Sequence, residues 1–509
     1  MAELGLAVVA TIDLCIIRGN DLITKYKTFR DADAKLEELV VRIEICWRRV
    51  TSQVSVTKQL ASTMSQDYNN LQQRILRVLD NKLTEVELKV SEFSTKMRLG
   101  VGRKLKFALF KDGLERAIED LESWQKRYEL DWFQLIKAAP STVDLMLNQA
   151  ILEPSSGAPG VARVAREFRR GLKQLGEADL PKFIQESRLQ ECEMTPIPFS
   201  TAVVATRPNG AGRLIVDAVN LEPDSVQRKD AREFSHRLRH ADPDTFGLLA
   251  CKGVVVHGNP KGRNGNMSIL FRVPQHCASI TSLRELLLRG TQHESLSDRL
   301  YLAKQLTKAV YYVHLYGFVH KNIRPETILS LGKMEEGDRV PRTAFLVGFQ
   351  VIRNADGRTY PVSASNEWQL NLYRHPERQT DAPEYFVMQH DIYSLGVCLL
   401  EIGLWEPFVK YDAEGVALPT DTFLQLIGNP LEIQDGRKIK EKLVDISRST
   451  VLRARMGTKY GHLVETCLTC LDADNMDFGD EVEFQDEGGV TVAVRYIEKV
   501  LGVLDGISL

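Results

Sequence analysis

The chain has 509 residues, of which 43% are hydrophobic and 26% charged, and its formal charge is −2. That length accommodates roughly two to four domains with full hydrophobic cores, and the ordinary apolar and charged fractions exclude both wholesale disorder and a polytopic membrane protein. Near-neutrality excludes a global pull toward nucleic acid or an anionic surface, so any such attraction has to come from local patches.

The first segment, "MAELGLAVVATIDLCIIRGNDL", is the most apolar. Glu3 stands where a signal peptide needs a basic region, and Asp13 interrupts the apolar run. The run from Leu4 to Ile17 is shorter than the roughly 20 residues that span a bilayer. The expectation is a chain that is cytosolic as made. Eight scattered cysteines suit a reducing compartment. Only Cys467 and Cys470 are close, in "ETCLTCLD", which reads as buried helix without partner ligands for a metal.

Residues 1–147 read as successive helices. Leu36, Leu39, Val40, Ile43, Trp47 and Val50 form one apolar stripe; Leu71, Ile75, Val78, Leu79, Leu83, Val86, Val90 and Phe93 form a second; Leu114, Ile118, Leu121 and Tyr128 form a third. Amphipathic helices with short connections predict an antiparallel bundle over 1–150. A Pro/Gly/Ser linker follows, "EPSSGAPG". In "VARVAREFRRGLKQLG" Arg163, Arg166, Arg170 and Lys173 line one helical side and Val161, Ala165, Phe168 and Leu172 the other, so 151–180 is expected to be a linker carrying a basic amphipathic helix.

From about 180 the pattern changes. "STAVVATR", the turn "PNGAG" and "RLIVDAV" read as a β-hairpin, and "GLLACKGVVVH" and "NMSILFRV" as further strands. Beyond Ser282 helices dominate, ending in the amphipathic "VRYIEKVLGVLDGISL". A small strand-rich lobe (about 181–275) precedes a larger helical one (about 276–509).

Four stretches in order carry a resemblance to protein kinases. "HKNIRPETIL" resembles the catalytic loop H-R-D-L-x-x-x-N, "FLVGFQVIR" sits where D-F-G belongs, "YRHPERQ" resembles the A-P-E segment, and "HDIYSLGVCLLEIGLW" resembles the long helix after it. The implied fold class is multidomain, an all-α bundle followed by an α+β two-lobed kinase-like module. By motif position Asn322 replaces the base, and an amide takes no proton usefully. Thr327 replaces the asparagine that holds a second magnesium, and Gly348 replaces the charged metal ligand. No glycine lies between Gly176 and Gly210, which excludes a G-x-G-x-x-G phosphate loop, and no lysine lies between Lys182 and Lys229. The strand offers Asp217 or Val219 in the lysine's place. One well-placed electrostatic group is worth about 2.7–4 kcal/mol, and here the phosphate clamp, both metal ligands and the base are all absent. His320, Pro376, Glu377 and Asp391 match positions the family uses as scaffold. The resemblance therefore implies a pseudokinase with no catalytic residue, no magnesium and no other metal or cofactor; nucleotide binding without catalysis stays open, because the adenine slot between the lobes can persist.

The start "ELGLAVVATIDLCI" and "RKLKFALFKDGLERAIEDLESWQKRYE" resemble the HeLo domain of fungal prion-inhibition and propagation proteins, which include heterokaryon-incompatibility proteins that kill cells by disturbing membranes. HeLo joined to a kinase-like module is an arrangement of filamentous fungi. The resemblance implies a first helix that leaves the bundle for lipid, with Leu6, Val9 and Ile12 on it, and a basic patch containing Arg103, Lys104 and Lys106 facing an anionic leaflet. Arg163, Arg166 and Arg170 are the corresponding partner candidates on the bridging helix. Unlike the incompatibility proteins, this chain shows no prion-like tail. The implied partners are proteins, including self-association, and an activated plasma membrane, with no nucleic acid. Two alternatives stand beside this reading: an active or weakly active protein kinase with a helical targeting domain, and a non-catalytic interaction scaffold.

Overall fold

A computed structural model describes residues 2–27, 34–62, 64, 66–98, 103–152, 159–208, 212–219, 225–257, 266–275, 277–290, 295–333, 342–349, 367–380, 386–428, 433–478 and 496–507. The chain divides into two compact units, Met1–Arg169 and Arg170–Leu509.

The first unit is helical: α1 (Ala2–Lys27), α2 (Ala34–Leu60), α3 (Gln66–Arg98), α4 (Arg103–Ala138), α5 (Thr142–Leu152) and most of α6 (Pro159–Leu172). α1 and α2 run antiparallel at close range. Gly5 meets the backbone of Ala61, and Gly19 lies so near the Trp47 ring that a Cβ there would stand 2.0 Å from it. α3 runs alongside α1, tied by Arg18 to Asp80 at 2.8 Å and Lys25 to Glu87 at 2.5 Å. α4 follows α2, with Trp132 Nε1 donating to Gln53 O and the Tyr128 hydroxyl 2.9 Å from Thr57 Oγ1.

Burial corrects the second apolar stripe. Leu76, Leu79, Leu83 and Val86 point into the core, whereas Val78 is exposed and Ile75 half-buried. The expected stripe holds at Leu79, Leu83 and Val86, with Leu76 completing the inward face in place of Ile75 and Val78, since adjacent apolar positions permit two registers. α1 is apolar on both sides. Val8, Ile12, Cys15 and Leu22 are buried; Leu6, Leu14 and Ile17 are exposed.

α6 up to Arg169 is part of this unit and not a free linker. Phe168 is buried with its ring 5.5 Å from Phe133. Arg169 donates to Asp144 Oδ1 at 2.6 Å and to the carbonyls of Ile136, Ala139 and Pro140. Ile136 lies in the last turn of α4 and Ala139 and Pro140 just beyond it, so one guanidinium ties that helix end and the connection to α5 together.

The second unit opens with α7 (Ser187–Gln190) and a five-stranded antiparallel sheet in the order β1-β2-β3-β5-β4. Its strands are β1 (Glu193–Pro196), β2 (Ala202–Thr206), β3 (Arg213–Val219), β4 (Cys251–Val256) and β5 (Met267–Arg272); α8 (Ser225–Leu238) and α9 (Pro243–Phe246) separate β3 from β4. The expected hairpin is β2–β3, with Ala202 opposite Asp217. β6 (Cys277–Ser282), β7 (Ile328–Lys333) and β8 (Thr343–Leu346) form a smaller sheet. Between β6 and β7 come α10 (Leu283–Leu288) and α11 (Leu296–Leu315), and after β8 come α12 (Trp368–Asn371) and α13 (Met388–Leu404). A two-stranded ribbon, β9 (Val409–Tyr411) with β10 (Ala417–Pro419), precedes α14 (Asp421–Ile427), α15 (Gly436–Arg448), α16 (Thr450–Met456) and α17 (Thr458–Leu468). Every residue of α13 from Gln389 to Leu404 is buried, so it is the axis of this helical part. Among the described residues no helix is long and apolar enough to cross a membrane. All eight cysteines are free.

Replacing Arg169 by Ala removes an ion pair and three carbonyl bonds together. The expected loss is about 1–3 kcal/mol, read as a lower urea midpoint of the full chain, whereas Arg163→Ala on an exposed position of the same helix leaves the midpoint within about 0.5 kcal/mol.

Candidate functional site

Of the residues singled out by motif position, His320, Asn322, Thr327, Gly348 and Asp391 come together around the turn after β8 and the loop before β7. Asp391, buried in the first turn of α13, holds that loop. Its Oδ2 accepts from His320 N at 2.7 Å and His314 Nε2 at 2.8 Å, and its Oδ1 from Lys321 N at 2.9 Å. Burial pushes the Asp391 carboxyl up, but the His314 bond and charge and the His320 contacts outweigh it and hold the group below its ordinary range. Lys321 sits at φ 65°, a left-handed conformation that costs a non-glycine residue of order 1 kcal/mol. The anchored amide holds it there.

Asn322 and Thr327 are spent within the loop. Asn322 Nδ2 donates to Gly348 O at 3.0 Å, and its Oδ1 accepts from Arg324 Nε at 3.0 Å. Thr327 Oγ1 donates to Asn322 O at 2.7 Å and accepts from Arg324 N at 3.2 Å. Thr327 is wholly buried, and its methyl fills the space beside Gly348. A Cβ on Gly348, which has φ 80°, would stand 2.4 Å from Thr327 Cγ2. A side chain at 348 has no room on that face of the turn unless Thr327 moves.

Asp217, not Val219, reaches this turn from β3. Its Oδ2 accepts from Gly348 N at 2.7 Å and from Phe349 N at 3.3 Å. Both bonds close the strand-rich part against the loop. The carboxyl is fully buried, and its Oδ1 has no partner. Burial pushes its pKa from 3.8 up to about 6, against the pull of the two amides. Val219 is buried two residues further, on the same strand face.

The Phe349 ring completes the closure. It lies 4.5 Å from His320, 4.7 Å from Phe234 of α8 and 6.1 Å from Phe271 of β5. Burial lowers the His320 pKa to about 4, so the imidazole packs as a neutral ring.

Sequence reasoning missed the polar network beneath the loop. Arg284 of α10 is fully buried and donates to Glu326 Oε1 at 2.8 Å, Glu401 Oε1 at 2.8 Å and the Tyr373 hydroxyl at 2.6 Å. Burial would depress its guanidinium, but the two carboxylates hold it well above its ordinary value. Charged residues inside the apolar runs "LRELLL" and "LLEIGL" were the available signal, because such residues are buried only when paired. Of the expected scaffold positions, Pro376 opens a 3₁₀ turn and Glu377 is exposed beside His375, 3.4 Å from Nδ1. The buried carboxylates of this region are Glu326 and Glu401 instead.

The candidate membrane residues divide. Leu6 is 67% exposed, Val9 half-buried and Ile12 fully buried. Arg166 bonds Glu167 and Asn148, and Arg163 and Arg170 are exposed. Arg103, Lys104 and Lys106 are helical in α4, and their side chains lie outside the described residues. No protein-family model and no curated protein matches the chain.

The buried Asp217 sets a pH dependence. Its folded pKa exceeds the unfolded one, so folding penalises the ionised form. That penalty is small near pH 4, grows as pH rises toward 6 and is constant above, with a size on the order of 3 kcal/mol. Asp217→Asn keeps an acceptor for Gly348 N and removes the charge. It is expected to raise stability by about 1–3 kcal/mol above pH 6 and to change it little at pH 4, as urea titrations across that range would measure.

Proposed function

We propose that this chain is a non-catalytic signalling protein in which a kinase-like module without phosphotransfer activity controls a HeLo-like, membrane-acting helical bundle, of the fungal incompatibility or cell-death type. The observation that carries the first half is the pair of bonds from Gly348 N and Phe349 N to Asp217. In the kinases that the motifs resemble, the β3 position is a lysine that grips phosphate, and the turn carries an aspartate that grips magnesium. Here the charge lies on the strand and the turn is bare. The carboxylate is consumed by the turn's own amides, at the place where a triphosphate would meet it. The order of a strand-rich part followed by a helical part organised on α13 supports the two-lobed reading.

The second half rests on α1. A helix that buries Val8, Ile12 and Cys15 while exposing Leu6, Leu14 and Ile17 has apolar surface left over for a second environment. Acceptance of that helix by an anionic bilayer after release from the bundle is the proposed effector step, with the kinase-like module as its restraint and other proteins as its trigger. The protein is cytoplasmic at rest and joins the plasma membrane when activated.

Two measurements test this. Incubated with Mg-ATP and a general protein substrate, the full chain shows no turnover, and Asn322→Asp/Gly348→Asp does not create any, since the new side chain collides with Thr327; clear wild-type turnover overturns the reading. Residues 1–169 release dye from anionic liposomes, and Leu6→Glu, at an exposed position, abolishes release while leaving the fold intact. Absence of release from wild type would favour an interaction scaffold.

A further inference from the structure

A second cluster lies away from the closed turn. Ligand atoms of His375, Glu377 and His390 all fall within 4.8 Å of one another. His375 follows α12, Glu377 is in the 3₁₀ turn 376–378, and His390 is in the first turn of α13. The two histidines are each 3% exposed. His375 Nδ1 and His390 Nε2 are buried with no hydrogen-bond partner. Other buried imidazole nitrogens also lack a hydrogen-bond partner, but these two converge on one carboxylate, with Glu377 Oε2 3.4 Å from His375 Nδ1. His375 and Glu377 also line a cavity of about 730 Å³, which gives the cluster a route to solvent.

We propose that His375, Glu377 and His390 form a binding site for one divalent transition-metal ion of the zinc type, with solvent from the cavity completing its coordination. Two imidazoles and one carboxylate, with a position left for water, are the ligand set of open tetrahedral zinc. Ligands about 2.0–2.1 Å from such an ion stand about 3.3 Å apart. Closing the widest pair by about 1.5 Å therefore suffices, and Glu377 is the exposed member of the three. Magnesium and calcium prefer all-oxygen shells and fit this set poorly.

The far ring nitrogens set the terms of loading. Coordination through His375 Nδ1 leaves the proton on Nε2, which faces Lys440 Nζ at 3.2 Å. That proton faces an ammonium, which cannot accept it, so loading turns Lys440 Nζ away from the ring toward Asp472, with which it is already paired. Coordination through His390 Nε2 moves the ring proton to Nδ1, which otherwise accepts from Val387 N at 2.9 Å. Metal therefore competes with the cap on α13. Occupancy ties the 375–377 segment to α13 and frees the Val387 amide.

The test uses the chelator-stripped full chain titrated with zinc chloride by calorimetry, with cobalt(II) absorption reporting coordination geometry. One equivalent binds, cobalt gives the intense visible bands of a tetrahedral site, and Glu377→Gln and His375→Gln each weaken binding by at least about tenfold. His462→Gln, at another histidine lining the cavity, does not. Glu377 is exposed, so Glu377→Gln remains decisive if the His375 variant fails to fold. Absence of a stoichiometric site, or affinity unchanged in Glu377→Gln, or loss only in His462→Gln, overturns the assignment.

Discussion

A single carboxylate determines how the second unit is closed. Asp217 is buried on β3 and spends one oxygen on two successive backbone amides at Gly348 and Phe349. A buried, partly uncompensated carboxylate is costly, and its raised pKa of about 6 records that cost. The surroundings make the arrangement unavoidable. Gly348 must be glycine because Thr327 fills the space a side chain needs, and the turn's amides then point inward without side-chain partners. The strand supplies the acceptor. Phe349 is carried into the aromatic packing of Phe234, Phe271 and His320 by the same turn. Asp391 fixes the other end by holding His320 and Lys321.

Much of this was legible in the chain, because it follows from residue type at a fixed spacing. Asn322, Thr327 and Gly348 are recognisable as non-acidic residues at motif positions, and each has a local bond or contact within the turn. The hairpin at β2–β3 follows from alternation and a glycine-rich turn. The partner of Asp217 was not legible, since 131 residues separate it from Gly348 and no pattern links a strand to a distant backbone amide. The Arg284 network was hidden for the same reason: Glu326 and Glu401 come from separate segments. In the bundle, periodicity placed Leu79, Leu83 and Val86 on the inward face of α3 but not which of the apolar residues at 75, 76 and 78 joins them, a choice that only packing makes. Nothing in the sequence sets Arg169 apart from its basic neighbours, yet its guanidinium bonds the last turn of α4 and the connection after it.

The two units carry different kinds of surplus. In the first, α1 holds more apolar surface than the bundle uses, with Leu6, Leu14 and Ile17 outside. In the second, Asn322, Thr327 and Asp217 bond within the closed turn, and two of the buried imidazole nitrogens without a partner lie apart from it, at His375 and His390. That distribution supports the proposal that the second unit contributes shape and not phosphotransfer at the closed turn.

The closure is tested most directly by the ionisation of Asp217 itself. Carbonyl ¹³C chemical shifts of aspartate-labelled protein, assigned by difference from Asp217→Asn, follow that one carboxyl through a pH titration. Contact with the 348–349 amides in a buried setting predicts a midpoint of about 6. A midpoint near the ordinary value of 3.8 would mean that the side chain is hydrated, the turn is open, and the account of a silent site is wrong.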